Sequence, residues 1–173
     1  DCPCTLLTGE EFEPMPGAKV TASTIELCDY GAKYEVAVID EAQMIGDRSR
    51  GANWTKAILM VNAEVVHICM APEAEDIIVK LLSDIAAPFE IIRHERLTPL
   101  SYSGSISSLK QIRDGDALIA FSRRNVLSLA AEMERTGKKV RVIYGALPPA
   151  ARREEGRKFE SKETTVDVAT DAI

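Results

Sequence analysis

The chain has 173 residues, of which 46% are hydrophobic and 28% are charged, an ordinary globular mix that argues against a disordered chain. No apolar run approaches the roughly 18 residues that a membrane span needs, so no membrane partner is expected. The formal net charge of −6 counts against a protein that coats nucleic acid non-specifically, although it leaves room for a local basic groove.

The first half alternates between predicted strands and helices. Residues 1–33 are less regular, with a surface loop or hairpin predicted over Glu10–Lys19 and a short strand or turn over Ser23–Cys28. The apolar run of Tyr34–Asp40 is rich in β-branched residues and predicts a strand covered on both faces, as in a parallel sheet. Further strands are predicted at 64–70 and 89–95, and helices at 51–63 and 72–85.

A stretch that contains Pro, Gly and several Ser and Thr residues, at 97–107, predicts a linker between two domains, residues 1–96 and 108–173. The second domain restarts the alternation, and Gly137 predicts the end of its first helix. Alternation of this kind argues for parallel sheets with helical crossovers, so the predicted fold class is α/β. Strands are predicted at 116–122, 138–145 and 164–173, and helices at 123–137 and 148–160.

Two adjacent carboxylates, Asp40 and Glu41, follow the first predicted parallel strand directly. Ligands of open parallel sheets bind outside the carboxyl ends of the strands. Successive side chains of an extended chain point to opposite sides, so one carboxylate can hold a metal ion while the other faces a water or a substrate. The alternative is that the strand simply ends in a polar loop, and the pair alone does not decide between them.

Cysteine usage indicates the compartment. The residues Cys2, Cys4, Cys28 and Cys69 form neither a convincing disulfide framework nor a tetrahedral zinc pattern. The start of the chain has no basic segment followed by an apolar core, as a secretory signal would have. A reducing, intracellular compartment is therefore predicted.

The segment VIDEAQM, residues 38–44, resembles motif II, the Walker B element, of the superfamily-two DExH/D-box helicases. Further segments resemble other motifs of these helicases. Thr8–Glu10 resembles motif Ib, Thr24–Glu26 resembles motif Ic, and Leu118–Arg124 resembles motif IV. Val142–Pro149 resembles the loop after the next strand, and Val168–Ile173 resembles the start of motif V. The combination is most similar to the mitochondrial degradosome RNA helicases of the Suv-three type and their bacterial relatives. This resemblance implies two RecA-like (P-loop NTPase-type) parallel-sheet domains, both incomplete.

The chain departs from the family pattern in three places. It contains no G-x-x-x-x-G-K-[ST] phosphate-binding loop, and it stops within the segment that resembles motif V, before the family's arginine-bearing motif VI. It therefore resembles the middle of a helicase core, and this polypeptide alone is expected to hydrolyse no ATP. The family's Gly-Glu-Pro-like motif III is also altered, because Met70 and Ala71 precede Pro72 and Glu73.

The resemblance implies ATP and Mg²⁺ as cofactors. Asp40 would hold the metal, Glu41 would position and deprotonate the attacking water, and Gln43 would sense the γ-phosphate and connect to the second domain. ATP would also be contacted through Asp171, at the ribose and the domain interface. Contacts to the nucleic-acid backbone, which carry no base sequence, are implied for Thr8, Gly9, Thr24, Ser122, Arg123, Gly145 and Thr170.

The leading prediction is a fragment of an ATP-dependent RNA helicase that unwinds or translocates along nucleic acid. The alternatives are a nucleic-acid-binding module without catalysis and a DNA-directed RecA-like translocase, because backbone contacts to RNA and DNA are similar. The family resemblance further implies an exoribonuclease partner and a location in the bacterial cytoplasm or the mitochondrial matrix.

Overall fold

The computed structural model describes residues 2–95, 97–102, 104, 105, 108–161 and 163–170. The chain divides into two compact units, Asp1–Glu95 and Arg96–Ile173. The described residues between 97 and 107 form neither helix nor strand. No helix in the described part of the chain is long and apolar enough to cross a bilayer.

The first unit begins with a small sheet that the sequence did not predict. Strand β1 (Cys4–Leu7) lies between β2 (Phe12–Glu13) and β3 (Val20–Ser23). It pairs antiparallel with β2 and parallel with β3. The predicted loop or hairpin therefore contains β2, and the segment after β3 forms a 3₁₀ helix, Ile25–Leu27. All four β3 side chains are exposed, which explains why no apolar pattern marked this strand.

A second sheet carries the main core of the first unit. Strand β4 (Tyr34–Ile39) pairs in parallel with β5 (Ala63–Ile68), and the crossover between them contains helix α1 (Gly51–Met60). Helix α2 (Glu75–Asp84) follows β5 after a 3₁₀ turn that starts at Pro72, where the missing N–H costs little. The buried core consists of Ile39, Ala42, Trp54, Ala57, Ile58, Ala74 and Ile78.

Two sequence predictions for this unit are wrong. Strand β4 is not covered on both faces: Ile39 is buried, but Val36 and Val38 are 53% and 64% exposed. These side chains alternate along the strand, and the core that contains α1 and α2 packs on the Ile39 face. Residues 89–95 do not form the predicted strand, because a strand requires a partner for its backbone groups and none pairs with this segment among the described residues.

The second unit is a parallel three-stranded sheet. Strands β6 (Ala117–Ile119) and β7 (Val140–Ile143) flank the central β8 (Val166–Ala169). Helix α3 (Arg123–Arg135) connects β6 to β7, and α4 (Pro149–Glu160) connects β7 to β8. Gly137 has φ +85°, the left-handed conformation common after a helix end. Val126, Ala130 and Met133 of α3 pack against the apolar side chains of β8.

A buried ion pair links β7 to β8. Its two residues alternate along the strands with the residues whose side chains form this core. Arg141 Nη2 lies 2.6 Å from Asp167 Oδ2, and the two side chains are only 10% and 7% exposed. The residues are register partners across the ladder. Gly156 of α4 lies close to the Arg141 guanidinium, so α4 approaches the sheet where this pair lies.

Candidate functional site

The two adjacent carboxylates lie where the sequence predicted, at the carboxyl end of β4. The Cys69 N–H donates to the carbonyl of Ile39, and the Ala42 N–H donates to the carbonyl of Cys69, both at 2.9 Å. These bonds fasten the chain on either side of the pair to the end of β5. Asp40 and Glu41 themselves are exposed, as side chains that meet a ligand must be.

Glu41 adopts an unusual backbone conformation. Its φ of +53° and ψ of 37° lie in the left-handed region, which side chains with a Cβ rarely occupy and which costs free energy. The residue also begins the 3₁₀ helix Ala42–Gly46, and its N–H donates to Asp40 Oδ1 at 2.8 Å. The Asp40 carboxylate therefore accepts the backbone N–H of the residue at which the chain turns.

Gln43 connects this turn to the loop after β5. Its Nε2 donates a short hydrogen bond to Glu41 Oε2, and its Oε1 accepts the N–H of Ala71 at 3.1 Å. The amide therefore fixes the Glu41 carboxylate relative to a backbone group 28 residues away. The sequence placed Gln43 beside the site but did not predict this link to Ala71.

Three further residues beside the carboxylates were not predicted as part of the site. The Trp54 indole N–H donates to the carbonyl of Asp40 at 2.9 Å. Arg50 lies over the Trp54 ring, with Cζ 5.3 Å from the ring centroid, and pairs with Glu26 at 2.8 Å. The motif R-G-x-x-W-T, residues 50–55, is the signal that could have identified Arg50 and Trp54, and Glu26 belongs to the segment that resembles motif Ic.

The candidate nucleic-acid contacts of the first unit meet at one sheet edge. Thr8 and Gly9 follow β1, and Thr24 follows β3. Because these strands are parallel with Leu7 opposite Ser23, their ends are adjacent, and the Thr24 N–H donates to the carbonyl of Leu7 at 3.1 Å. The Thr8 hydroxyl accepts the N–H groups of Glu10 and Glu11, which closes a tight turn around the exposed Gly9.

The candidate contacts of the second unit also share one edge. Ile119, Ala169 and Ile143 are in register across its three parallel strands, so the residues that follow them are adjacent. Ser122 caps α3 by accepting the Asn125 N–H at 3.2 Å. The edge carries Ser122 and Arg123 after β6, Thr170 after β8 and Gly145 after β7.

Two cationic side chains organise this second edge. Arg123 lies over the ring of Tyr144, with Cζ 5.0 Å from the centroid. Arg152 donates to the carbonyls of Gly145 and Leu147, both at 3.2 Å, and holds the loop in place. The predicted ATP contact Asp171 lies outside the described residues.

Asp40 fits a magnesium ligand. Mg²⁺ is held by one or two carboxylates together with waters and substrate phosphates rather than by an all-protein cage. Asp40 is exposed, and only its Oδ1 accepts a hydrogen bond in the described part of the chain, which leaves Oδ2 for a cation. The described residues contain no cluster of three or more His, Cys, Asp or Glu side chains that could hold a metal ion by itself.

Electrostatic effects near the first edge involve Glu26 and Asp47. The pKa of Glu26 is lowered, first by its own backbone N–H and then by the Arg50 guanidinium. The pKa of Asp47 is also lowered, because its carboxylate accepts the Ser49 hydroxyl and the N–H groups of Arg50 and Ser49. Both acids are therefore ionised at neutral pH and fix the segment that leads into α1.

Comparison with known proteins places the chain in a family. Residues 1–94 match the family described as the DEXQ-box helicase domain of Suv3. The chain is 40% identical over 179 residues to the mitochondrial ATP-dependent RNA helicase SUPV3L1 of Danio rerio. It is 39% identical over 178 residues to the protein of that name in Homo sapiens, and 39% identical over 175 residues to the mitochondrial DExH-box ATP-dependent RNA helicase DExH18 of Arabidopsis thaliana.

These alignments cover 98–99% of the chain but only 23% of each relative. The fold also matches a solved structure, S. cerevisiae Dbp5 bound to RNA and ADP BeF3, with a TM-score of 0.60 and 13% identity over 98% of this chain and 51% of that one. This likeness confirms the predicted RecA-like α/β fold. The chain belongs to the Suv3 family of DEXQ-box helicases.

Proposed function

We propose that the chain is part of an ATP-dependent RNA helicase that couples ATP hydrolysis to unwinding of, or translocation along, RNA. Family membership and the names of the relatives support this. The observation that carries it is the arrangement of Asp40 and Glu41 at the carboxyl end of a parallel strand, with Gln43 bonded to Glu41. Ligands of parallel sheets bind at this end.

Glu41 is the proposed general base. Its carboxylate orients a water molecule and accepts a proton from it as the water attacks the γ-phosphorus, and the bond from that phosphorus to the leaving ADP oxygen breaks. The left-handed backbone at Glu41 aims the carboxylate, and the amide of Gln43 restricts its rotation. We further propose that Gln43 senses the γ-phosphate.

Asp40 is the proposed magnesium ligand. A bound Mg²⁺ ion would neutralise charge on the β- and γ-phosphate oxygens. The Trp54 indole holds the Asp40 carbonyl, so the carboxylate projects from a fixed backbone. Asp171 completes the proposed ATP contacts at the ribose.

The two sheet edges are the proposed RNA contacts. Hydroxyls, exposed glycine N–H groups and a guanidinium suit phosphate oxygens, which position a nucleic acid without reading its bases. A motor that moves along any sequence requires such contacts. The proposed residues are Thr8, Gly9 and Thr24 in the first unit, and Ser122, Arg123, Gly145 and Thr170 in the second.

Location and partners follow from the relatives. We propose the mitochondrial matrix as the compartment, because the relatives are named as mitochondrial. The alternative compartment for this chain is the bacterial cytoplasm, on the resemblance of its sequence to the bacterial members of the family. RNA is the proposed substrate because the relatives are named as RNA helicases. An exoribonuclease is the proposed protein partner, on the family resemblance of the sequence.

RNA-stimulated ATP hydrolysis by the parent protein that contains this chain tests the proposal. The expected result is faster hydrolysis with single-stranded RNA and ATP-dependent separation of an RNA duplex that has a single-stranded tail. A DNA duplex of the same sequence serves as the matched substrate. Stimulation by DNA alone would favour the DNA translocase, and the absence of any hydrolysis would leave only a binding module.

A further inference from the structure

A row of three side chains joins the two candidate sites of the first unit. At one end, Glu26 lies in the 3₁₀ helix that follows Thr24, a proposed RNA contact. At the other, Trp54 donates to the carbonyl of Asp40, the proposed metal ligand. Arg50 lies between them, and both its Nε and its Nη2 lie within 2.9 Å of Glu26 Oε1.

The contact between Arg50 and Trp54 is a cation–π interaction. The guanidinium carbon lies 5.3 Å from the centroid of the indole ring, within the distance of about 6 Å at which such pairs attract. Trp54 is only 6% exposed, so its ring is fixed by the core and its N–H points at one carbonyl. A displacement of the guanidinium therefore acts on a rigid ring that is hydrogen-bonded to the carbonyl of Asp40.

The backbone around Arg50 is itself held in place. Asp47 Oδ1 accepts the N–H of Arg50 at 2.7 Å, and the carbonyl of Asp47 accepts the N–H of Gly51 at 2.9 Å. A Cβ on Gly51 would lie 2.3 Å from the carbonyl oxygen of Ile45. Because α1 approaches the 3₁₀ helix Ala42–Gly46 this closely, the start of α1 and that 3₁₀ helix pack as one body.

The Glu26 end of the row lies next to Thr24. Glu26 stands two residues after Thr24, in the 3₁₀ helix that Thr24 precedes, and the Leu27 N–H of that helix donates to the carbonyl of Thr24 at 3.0 Å. A phosphate bound at Thr24 therefore brings negative charge close to Glu26 and to the half-exposed Arg50.

We propose that Glu26, Arg50 and Trp54 form a positioning relay that transmits RNA binding at Thr24 to the backbone of Asp40 and Glu41. This rests on the proposed helicase function. Phosphate at Thr24 changes the charge around Arg50, and the changed force on the guanidinium is passed through the rigid Trp54 ring to the carbonyl of Asp40. None of the three relay side chains contacts a reacting atom; they couple two sites.

Two variants of the parent helicase, Arg50→Gln and Glu26→Gln, test the relay. The readout is the ratio of the ATP hydrolysis rate at saturating RNA to the rate without RNA. Coupling between sites is typically worth a factor of about 5 to 150, so each variant should lower this ratio by about fivefold or more. Because both act through one contact, the double variant should lower it no further.

Lys80→Gln is the matched control, because it breaks the exposed Lys80–Asp84 pair on α2 and should leave the ratio unchanged. An Arg50→Gln protein with the wild-type ratio would overturn the relay, as would a fall of both rates by one common factor, which signals a structural defect. If the double variant lowered the ratio by the product of the two single effects, the proposed action of Arg50 and Glu26 through one contact would be overturned. A wild-type protein without RNA-stimulated hydrolysis would instead overturn the proposed function, and the relay with it.

Discussion

The side-chain oxygen of Gln43 accepts a hydrogen bond from the backbone N–H of Ala71 at 3.1 Å. The same amide donates to the Glu41 carboxylate, so the loop after β5 and the proposed general base are joined through one side chain. Ala71 belongs to the segment that departs from the family's Gly-Glu-Pro-like pattern. Its backbone N–H makes this bond, which any residue other than proline at position 71 can also make.

Gln43→Glu should impair hydrolysis while it keeps the fold. The new carboxylate can still accept the Ala71 N–H, but it replaces a donor to Glu41 with a like charge. Hydrogen bonds to charged groups contribute about 1.5–3 kcal/mol, and each 1.4 kcal/mol is tenfold in rate, so kcat of the parent helicase should fall by about tenfold or more. A variant with wild-type kcat would contradict the proposed role.

Ala71→Pro separates the two bonds of Gln43. Ala71 has φ −75° and ψ 152°, which proline can adopt, so the change removes the N–H donor at a compatible backbone position. We expect kcat to fall less than in Gln43→Glu, because the bond to Glu41 remains. A larger loss than in Gln43→Glu would show that the loop, rather than the amide, orients the base.

Gly51→Ala should destabilise the first unit. The added methyl would lie 2.3 Å from the Ile45 carbonyl oxygen and 3.2 Å from that of Met44, so helix α1 must shift away from the 3₁₀ helix Ala42–Gly46. Overpacking of this kind costs about 1–3 kcal/mol, measurable by urea denaturation. Gly46→Ala is the control, since nothing lies within 4 Å of its new methyl, and equal losses in the two variants would contradict the argument.

Breaking the buried pair of Arg141 and Asp167 should lower the unfolding free energy strongly, whereas replacing both residues by apolar ones should lower it little. Asp167→Leu alone removes the Asp167 carboxylate from a buried guanidinium and should cost about 3–5 kcal/mol of unfolding free energy. The double variant Arg141→Met with Asp167→Leu should recover most of that loss, because an apolar pair avoids the desolvation of two charges. The exposed Lys33–Glu64 pair is the control, and its removal should cost at most about 1 kcal/mol.

The Glu26 carboxyl provides a pH test of the relay geometry. Because its pKa is lower in the folded protein, its stabilising contribution is complete above the ordinary value of about 4.3 and is lost as the pH falls through the lowered folded pKa. Arg50→Gln should raise the Glu26 pKa only part of the way, since the backbone N–H, the largest cause, remains. Carboxyl NMR titration measures this, and an unchanged Glu26 pKa would contradict the pairing with Arg50.

The sequence predicted the alternation of strands and helices and the location of Asp40 and Glu41. A continuous apolar run followed at once by carboxylates is a local signal, and the hydrophobic burial that forms β4 acts on those same residues. The helices α1 to α4 were also predicted, because each has its own apolar spacing or terminal signal, such as Pro72 or Gly137. Local patterns therefore sufficed wherever the stabilising contacts are near in sequence.

Other features depended on contacts that no local pattern encodes. The short, exposed β3 becomes a strand through its pairing with β1, and Val36 is exposed although its run of β-branched neighbours suggested burial. The contacts of Arg50 with Glu26 and of Trp54 with Asp40 span 24 and 14 residues. The helical spacing around Trp54 is consistent with its burial, but its hydrogen bond to the Asp40 carbonyl required the tertiary structure.

The Glu41→Gln variant of the parent helicase tests the central claim most directly. Glutamine keeps the size of the side chain and a hydrogen bond with Gln43, but it cannot accept a proton from water. A filter-binding titration with ATP and a single-turnover hydrolysis assay should be run on the same preparation. The account predicts ATP affinity close to wild type together with hydrolysis reduced by about 100-fold or more, since general acid–base catalysis usually contributes about 100- to 10,000-fold. Hydrolysis near the wild-type rate would contradict the assignment of Glu41 as the base.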